Sequence, residues 1–198
     1  MDERIEQVLS FWFGDAGEGE AWPNGLERWL GESPAFDRAA AQRFGDLVAK
    51  ARSGELDEWA KTARGRLALV LLLDALPRRI FRESKEAFAG DEKALSLCLD
   101  GLDDELDKQL TPVERAFFYM PAMHAEDADI QLTSVEIYGE LAASAPPEHA
   151  ELCRAFLRRA EKHRDLVERF DRFPQRNAVL GRPSTPEEAA FLQQQNEL

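Results

Sequence analysis

Apolar residues recur along this chain at helical spacing, and one stretch is apolar on every side. Leu67 to Leu73, continued through Asp74 to Arg82, offers no polar face for two turns, so as a helix it must be covered nearly all round. Pro77 is expected to interrupt it, and Arg78, Arg79 and Arg82 gather where the apolar run stops. Ile5, Val8, Leu9 and Trp12 mark a first helix that ends at Gly14. Phe36, Ala40, Phe44, Leu47, Val48 and Ala51 mark the next, capped by Ser33-Pro34 and stopped at Ser53-Gly54. Asp15 to Gly31, rich in glycine and carrying Trp22 and Trp29, reads as a loop pinned by aromatics.

The second half repeats the theme. A helix over about 91–99 is expected to end at Gly101, and Thr111-Pro112-Val113-Glu114 is a capping box that opens a helix halting near Pro121. Glu126 to Ser144 and Glu148 to Phe170 form two further helices around the turn Ala145-Pro146-Pro147. After a loop from Arg172 to Ser184, Thr185-Pro186-Glu187-Glu188 caps a last short helix. Neither strand alternation nor a glycine-rich nucleotide signature occurs. The pattern predicts a single all-α domain over 1–198, with antiparallel helical hairpins stacked side by side around a buried central helix.

Charge narrows the partners. The 198 residues carry a formal net charge of -13, so nucleic-acid backbones and anionic membrane faces are repelled on average. The seven-residue apolar run is too short to span a bilayer core of roughly 30 Å. Met1-Asp2-Glu3-Arg4 lacks the basic start and apolar core of a secretory signal, which makes cytoplasm the expected location. Cys98 and Cys153 are expected to be buried free thiols.

Against that background a few polar groups fall where the helical pattern expects core. Arg159 and His163 lie in line between Phe156 and Leu166, and Asp127, Gln131 and Ser134 continue a face toward Tyr138. At about 1.5 Å per residue, a hairpin around Pro146-Pro147 puts Asp127 and His163 at nearly the same height. An Asp127–His163 contact would fix the imidazole tautomer, as a ligand-binding or catalytic pair or as a buried structural one. His124-Ala125-Glu126-Asp127 is a second patch: Glu126 and Asp127 answer a helix N-terminus with His124 exposed, or His124, Asp127 and His163 act together. No His-Glu-x-x-His pair or cysteine cluster supports a metal, and neither a metal nor another cofactor is expected.

A third patch is basic. Between Arg154 and Arg176 eight Lys or Arg residues face four acids, reversing the balance of the whole chain. Arg169, Arg172 and Arg176 flank Phe170 and Phe173, and with Arg78, Arg79 and Arg82 they could line a cleft for a carboxylate or phosphate. The competing reading pairs them internally with Asp74, Asp127, Asp165 and Asp171, holding helix ends together.

Several blocks together resemble a known family. Val8-Leu9-Ser10-Phe11-Trp12-Phe13-Gly14, Asp74-Ala75-Leu76-Pro77-Arg78-Arg79-Ile80-Phe81-Arg82, Tyr119-Met120-Pro121-Ala122-Met123-His124-Ala125-Glu126-Asp127, and His163 followed by Arg169 to Asn177 and Leu180 to Glu188 are similar, in order, to the bacterial domain of unknown function 924. The resemblance implies an all-helical fold of the tetratricopeptide-like (TPR-like) superfamily and brings no established activity. It carries Glu126 and Asn177 into the candidate site beside the arginines. Family members typically have glutamine at Ala75, asparagine at Arg79, serine at Ala125 and histidine at Gln175, so this chain departs from them inside these blocks.

The expected function is a binding module for a peptide segment or small anionic ligand, in a cleft lined by Arg78, Arg82, Glu126, Arg169, Arg172, Arg176 and Asn177. His124, Asp127 and His163 are the catalytic candidates of the alternative, a hydrolase-like enzyme or sensor acting on a small phosphate or carboxylate compound. No complete set of nucleophile, base and electrophile can be assembled, which favours binding. A helical unit with all charges internally paired is the third reading. Oligomeric state does not follow from the sequence.

Overall fold

The computed structural model describes residues 2–14, 29, 31 and 33–196. The described residues form helices joined by short turns, with no strand among them. Helix α1 spans Glu3–Phe13, α2 Pro34–Ser53, α3 Ala63–Val70, α4 Leu76–Ile80, α5 Asp91–Asp103 and α6 Pro112–Phe118. They are followed by α7 Met120–His124, α8 Ala128–Ser144, α9 Pro147–Phe170, α10 Asn177–Leu180 and α11 Pro186–Asn196. Most of the loop expected between Asp15 and Gly31 lies outside the described residues. Within it Trp29 donates from Nε1 to the Trp12 carbonyl at 2.8 Å and meets the Phe117 ring at 4.7 Å.

The apolar run behaves as its composition requires. Leu67, Leu69, Leu71, Leu72, Leu73 and Leu76 have no exposed surface. Pro77 does not end the helix. The chain widens into a π turn over Leu71–Ala75 and resumes as α4, with Pro77 in its first turn. A mid-helix proline removes one hydrogen bond and drives its ring toward the carbonyl four residues earlier, here Leu73; a wider turn just before it relieves both. The same irregular backbone is gripped from outside. A Cβ at Gly90 would lie 2.5 Å from the Leu73 carbonyl oxygen and 3.1 Å from its Cα. Since the obstacle is main chain, Gly90→Ala is expected to destabilise the protein by about 1–3 kcal/mol. An unchanged urea midpoint for Gly90→Ala would mean that the π turn can slide away.

Around this strut an aromatic cluster closes on Phe117, which packs edge-on against Trp12, Phe13 and Phe156 at 5.3 to 5.6 Å. Helices α8 and α9 form the antiparallel hairpin expected at Ala145-Pro146, and Tyr138 of α8 stacks on Phe156 of α9. Both capping boxes form: Thr111 and Glu114 exchange hydrogen bonds at the start of α6, and Thr185 and Glu188 do so at α11. Two punctuation marks act differently from their expected roles. Gly101 lies inside α5 because an added Cβ would strike Phe118 Cζ at 2.5 Å, so packing rather than turning requires it. Pro121 sits in the first turn of α7, which runs on to His124. Cys98 and Cys153 are buried free thiols.

Candidate functional site

The π turn delivers Asp74 into the interior, where its carboxylate has no exposed surface. His124, the last residue of α7, meets it with Nδ1 at 2.9 Å from Oδ1 and 2.8 Å from Oδ2. One turn beyond Asp74, Arg78 donates to the Asp74 carbonyl at 2.9 Å and approaches its Oδ2 at 3.2 Å. Its guanidinium is then held bidentately by Asp91, at the start of α5, through two bonds of 2.8 Å. Arg176 completes the group. It donates to the His124 carbonyl at 2.9 Å, lies 3.6 Å from Asp91, and is sandwiched between the rings of Phe88 and Phe173 at 5.0 and 4.5 Å.

Charge decides the protonation states. Burial pushes the Asp74 carboxyl up, but the Arg78 cation and the His124 hydrogen bond outweigh it and keep Asp74 ionised below the usual carboxylate range. Burial moves His124 down, more than Asp74 can restore, with Arg78 and Arg176 opposing a proton as well. His124 is therefore neutral near pH 7. Its Nδ1–H is committed to Asp74, which leaves Nε2 as an acceptor without a hydrogen-bond partner among the described residues.

His124 lines a cleft of about 270 Å³ together with Asp91, Glu92, Leu95, Pro121, Glu126, Asp127 and Arg176. Glu126 is engaged there by Arg182 at 2.5 and 3.0 Å and by the Phe173 amide at 2.8 Å. Glu92 and Asp127 meet no basic group among the described residues.

The candidate residues fall in several places. Asp127 is exposed and caps α8, accepting from the Ile130 amide at 3.0 Å. It does not meet His163, so the expected Asp127–His163 contact is corrected: the hairpin sets their heights alike, but Asp127 turns outward to serve the helix end. His163 instead donates from Nδ1 to the Arg159 carbonyl at 2.8 Å and packs beside the rings of Phe173 and His124 at 5.1 and 6.0 Å. Burial, then repulsion from His124, depresses its pKa to about 3. The expectation of an exposed His124 is corrected too, since only 8% of its surface is open. His124, Asp127 and His163 are thus not assembled as a metal triad, and no group of three metal-ligating side chains occurs among the described residues.

The arginines also separate. Arg78 and Arg176 belong to the His124 group. Arg169 and Arg172 tie the end of α9 to α11 through Glu187 and Glu188. Arg82 pairs with Asp37 of α2 at 2.9 Å, beside Arg79 at 2.7 Å. Asn177 is buried and holds the turn before α11, donating to Ser184 and accepting from Arg182. Sequence reasoning named Asp74 as an internal partner of the arginines, as it is for Arg78, but gave it no place beside His124, and it left Asp91 out of the site. The signal for Asp74 was present, as the one carboxylate inside the apolar run; Asp91 was absorbed into an acidic surface stretch.

Fold and site together define an all-α protein with interlocked Asp, His and Arg ion pairs beside a charged cleft. A family described as bacterial protein of unknown function (DUF924) matches residues 8–196, and the chain belongs to that family. A solved structure of a protein of unknown function from Agrobacterium tumefaciens is 34% identical, over 97% of this chain and 98% of its own, with a TM-score of 0.83. No curated protein matches the chain. No helix among the described residues is long and apolar enough to cross a membrane.

Proposed function

We propose that the protein is a binding module whose ligand enters the cleft over His124 and gives a hydrogen bond to Nε2. The observation that carries this reading is the Asp74–His124 pair: a fully buried carboxylate, set on a π turn, fixes the tautomer of a histidine that lines an open cleft. Such turns occur often at functional sites. A pair of this kind also suits a general base, but no nucleophile stands beside it among the described residues, so binding is the reading retained. We also place the α8–α9 hairpin within the TPR-like array that the family resemblance implies; its antiparallel packing supports that placement.

The cleft chemistry selects a donor, and a cationic one. Glu92 and Asp127 bring two carboxylates without basic partners, whereas Asp91 and Glu126 are already paired, and Leu95 and Pro121 offer an apolar wall to an aliphatic stem. A lysine side chain on a peptide segment meets all of these. A small anion would face four carboxylates and one arginine, so the anionic ligand is not carried by this cleft.

The test is a titration of wild-type and His124→Ala protein with a lysine-containing peptide and its norleucine counterpart, read at the Leu95 and Ala125 amides by NMR. Saturable shifts with the lysine peptide are expected, weakened about 10- to 100-fold in His124→Ala, the range of one hydrogen bond to a charged group. Equal response to the norleucine peptide, or none in wild type, refutes the assignment.

A further inference from the structure

Among the described, partly buried arginines, Arg159 is the one whose side chain has no hydrogen-bond or ion-pair partner; even Arg176, 3.6 Å from Asp91, donates to the His124 carbonyl. Arg66, Arg78, Arg115, Arg172 and Arg182 each bring a nitrogen within 3.2 Å of a carboxylate. Arg159, in α9 one turn before His163, makes no side-chain hydrogen bond or ion pair among the described residues, and its Nε is fully enclosed without a partner. Scarcity of acids is not the reason, since the chain has 38 Asp and Glu against 25 Lys and Arg.

The groups around Arg159 do not supply the missing charge. Tyr138, across the α8–α9 hairpin, already gives its hydroxyl proton to the Ala116 carbonyl at 2.6 Å. His163 uses Nδ1–H on the Arg159 carbonyl and is a neutral neighbour. Burial lowers the basicity of Arg159, and Tyr138 alone opposes that. An uncompensated guanidinium in a semi-enclosed position destabilises the fold, and proteins keep such local conflicts chiefly at sites that act on something else.

We propose that Arg159 anchors an oxyanion site, in which a carboxylate or phosphate group of a ligand takes the place of the absent counter-ion. Nε is the one nitrogen of Arg159 that is enclosed; the terminal nitrogens keep contact with solvent, so an oxyanion can reach the guanidinium fork and be gripped bidentately. Arg159 is not among the residues that line the His124 cleft, which selects the opposite charge, and the two proposals fail separately.

The experiment uses inorganic phosphate and acetate as probes at constant ionic strength. The Arg159 Nε–Hε resonance is followed by NMR, and melting temperatures are taken for wild type, Arg159→Met and Arg159→Lys. A saturable shift at Arg159 is expected, while the Leu95 and Ala125 amides stay still. Phosphate alone producing it assigns a phosphate ligand, and both probes producing it assign the wider carboxylate class. Without added anion Arg159→Met should melt above wild type, because the unpaired charge is gone. It should also lose the part of the phosphate-dependent rise in melting temperature that is specific to wild type, leaving only the general effect of an excluded salt. Arg159→Lys should keep a weakened response. An Arg159→Met protein that melts below wild type, or a wild-type Arg159 resonance that ignores both probes, overturns the proposal.

Discussion

Asp74→Asn is expected to lower the free energy of unfolding by about 3 kcal/mol, the lower end of the loss seen when one member of a buried ion pair is removed. The substitution keeps the volume, so packing is preserved and charge is the variable. His124 Nδ1 lies within 2.9 Å of both carboxylate oxygens, and an amide presents one acceptor and one donor in their place. The imidazole must then either lose a bond or change tautomer, inside a site where only 8% of its surface can turn to water. Arg78 sets the lower end of the range, because it retains Asp91 through two bonds of 2.8 Å. Asp91→Asn should be milder, since that carboxylate is 24% exposed and water can replace part of what is lost. Urea unfolding of the three proteins decides it: with unchanged slopes, a loss below about 1 kcal/mol for Asp74→Asn would show the pair to be a minor element of stability.

The contrast between Asp74 and Asp91 shows what the sequence could disclose. Helices were legible wherever a local rule acts alone. Thr111 and Glu114, or Thr185 and Glu188, need only each other, and the stripe Phe36, Ala40, Phe44, Leu47, Val48, Ala51 is buried as its spacing requires. Breakers were ambiguous because Gly and Pro answer to tertiary contacts as well as to backbone freedom. Gly101 is a glycine for the sake of Phe118, and Pro77 is tolerated by a π turn that no periodicity announces. The site was the least legible part. His124 and Asp74 are 50 residues apart and meet because α7 packs against the π turn, a relation that neither element's own pattern contains. Helix rise placed Asp127 and His163 at matching heights but said nothing of direction around the axis. Capping, a local demand, claimed Asp127 first. The basic run near Arg169 and Arg172 was visible as composition, but its partners Glu187 and Glu188 are brought to it only by the turn that Asn177 holds.

Stability should fall steeply as pH drops from 6.5 to 4.5, and the buried histidines are the cause. His163 titrates at about 3 in the folded protein, and His124 is also moved below its ordinary value of 6.5. For a group whose folded pKa is depressed, the unfolded chain binds the proton first. The stabilisation is therefore complete above about pH 6.5 and is lost as pH falls toward the folded value. Within the window between its folded and unfolded values His163 contributes a slope of up to about 1.4 kcal/mol per pH unit, and His124 acts in the same direction. Over two units the His163 contribution alone reaches about 2–3 kcal/mol, a sizeable share of the stability of an ordinary domain, about 5–15 kcal/mol. Asp74 does not confuse the measurement: its carboxyl is depressed from 3.8, so its contribution persists above that pH and disappears only in stronger acid. His163→Leu keeps a side chain of similar bulk against Phe173 and removes one of the two titrations. The slope of unfolding free energy between pH 4.5 and 6.5 should therefore drop by up to about 1.4 kcal/mol per pH unit in His163→Leu, and fall further with His124→Gln added. Proton uptake on unfolding near pH 4.5, measured in buffers of different ionisation enthalpy, should fall by about one for His163→Leu and further with His124→Gln. If His163→Leu leaves slope and uptake as in wild type, His163 is already protonated in the folded state. In that case the neutral His163 against which Arg159 is set fails with it, while the His124 acceptor is tested by the second substitution.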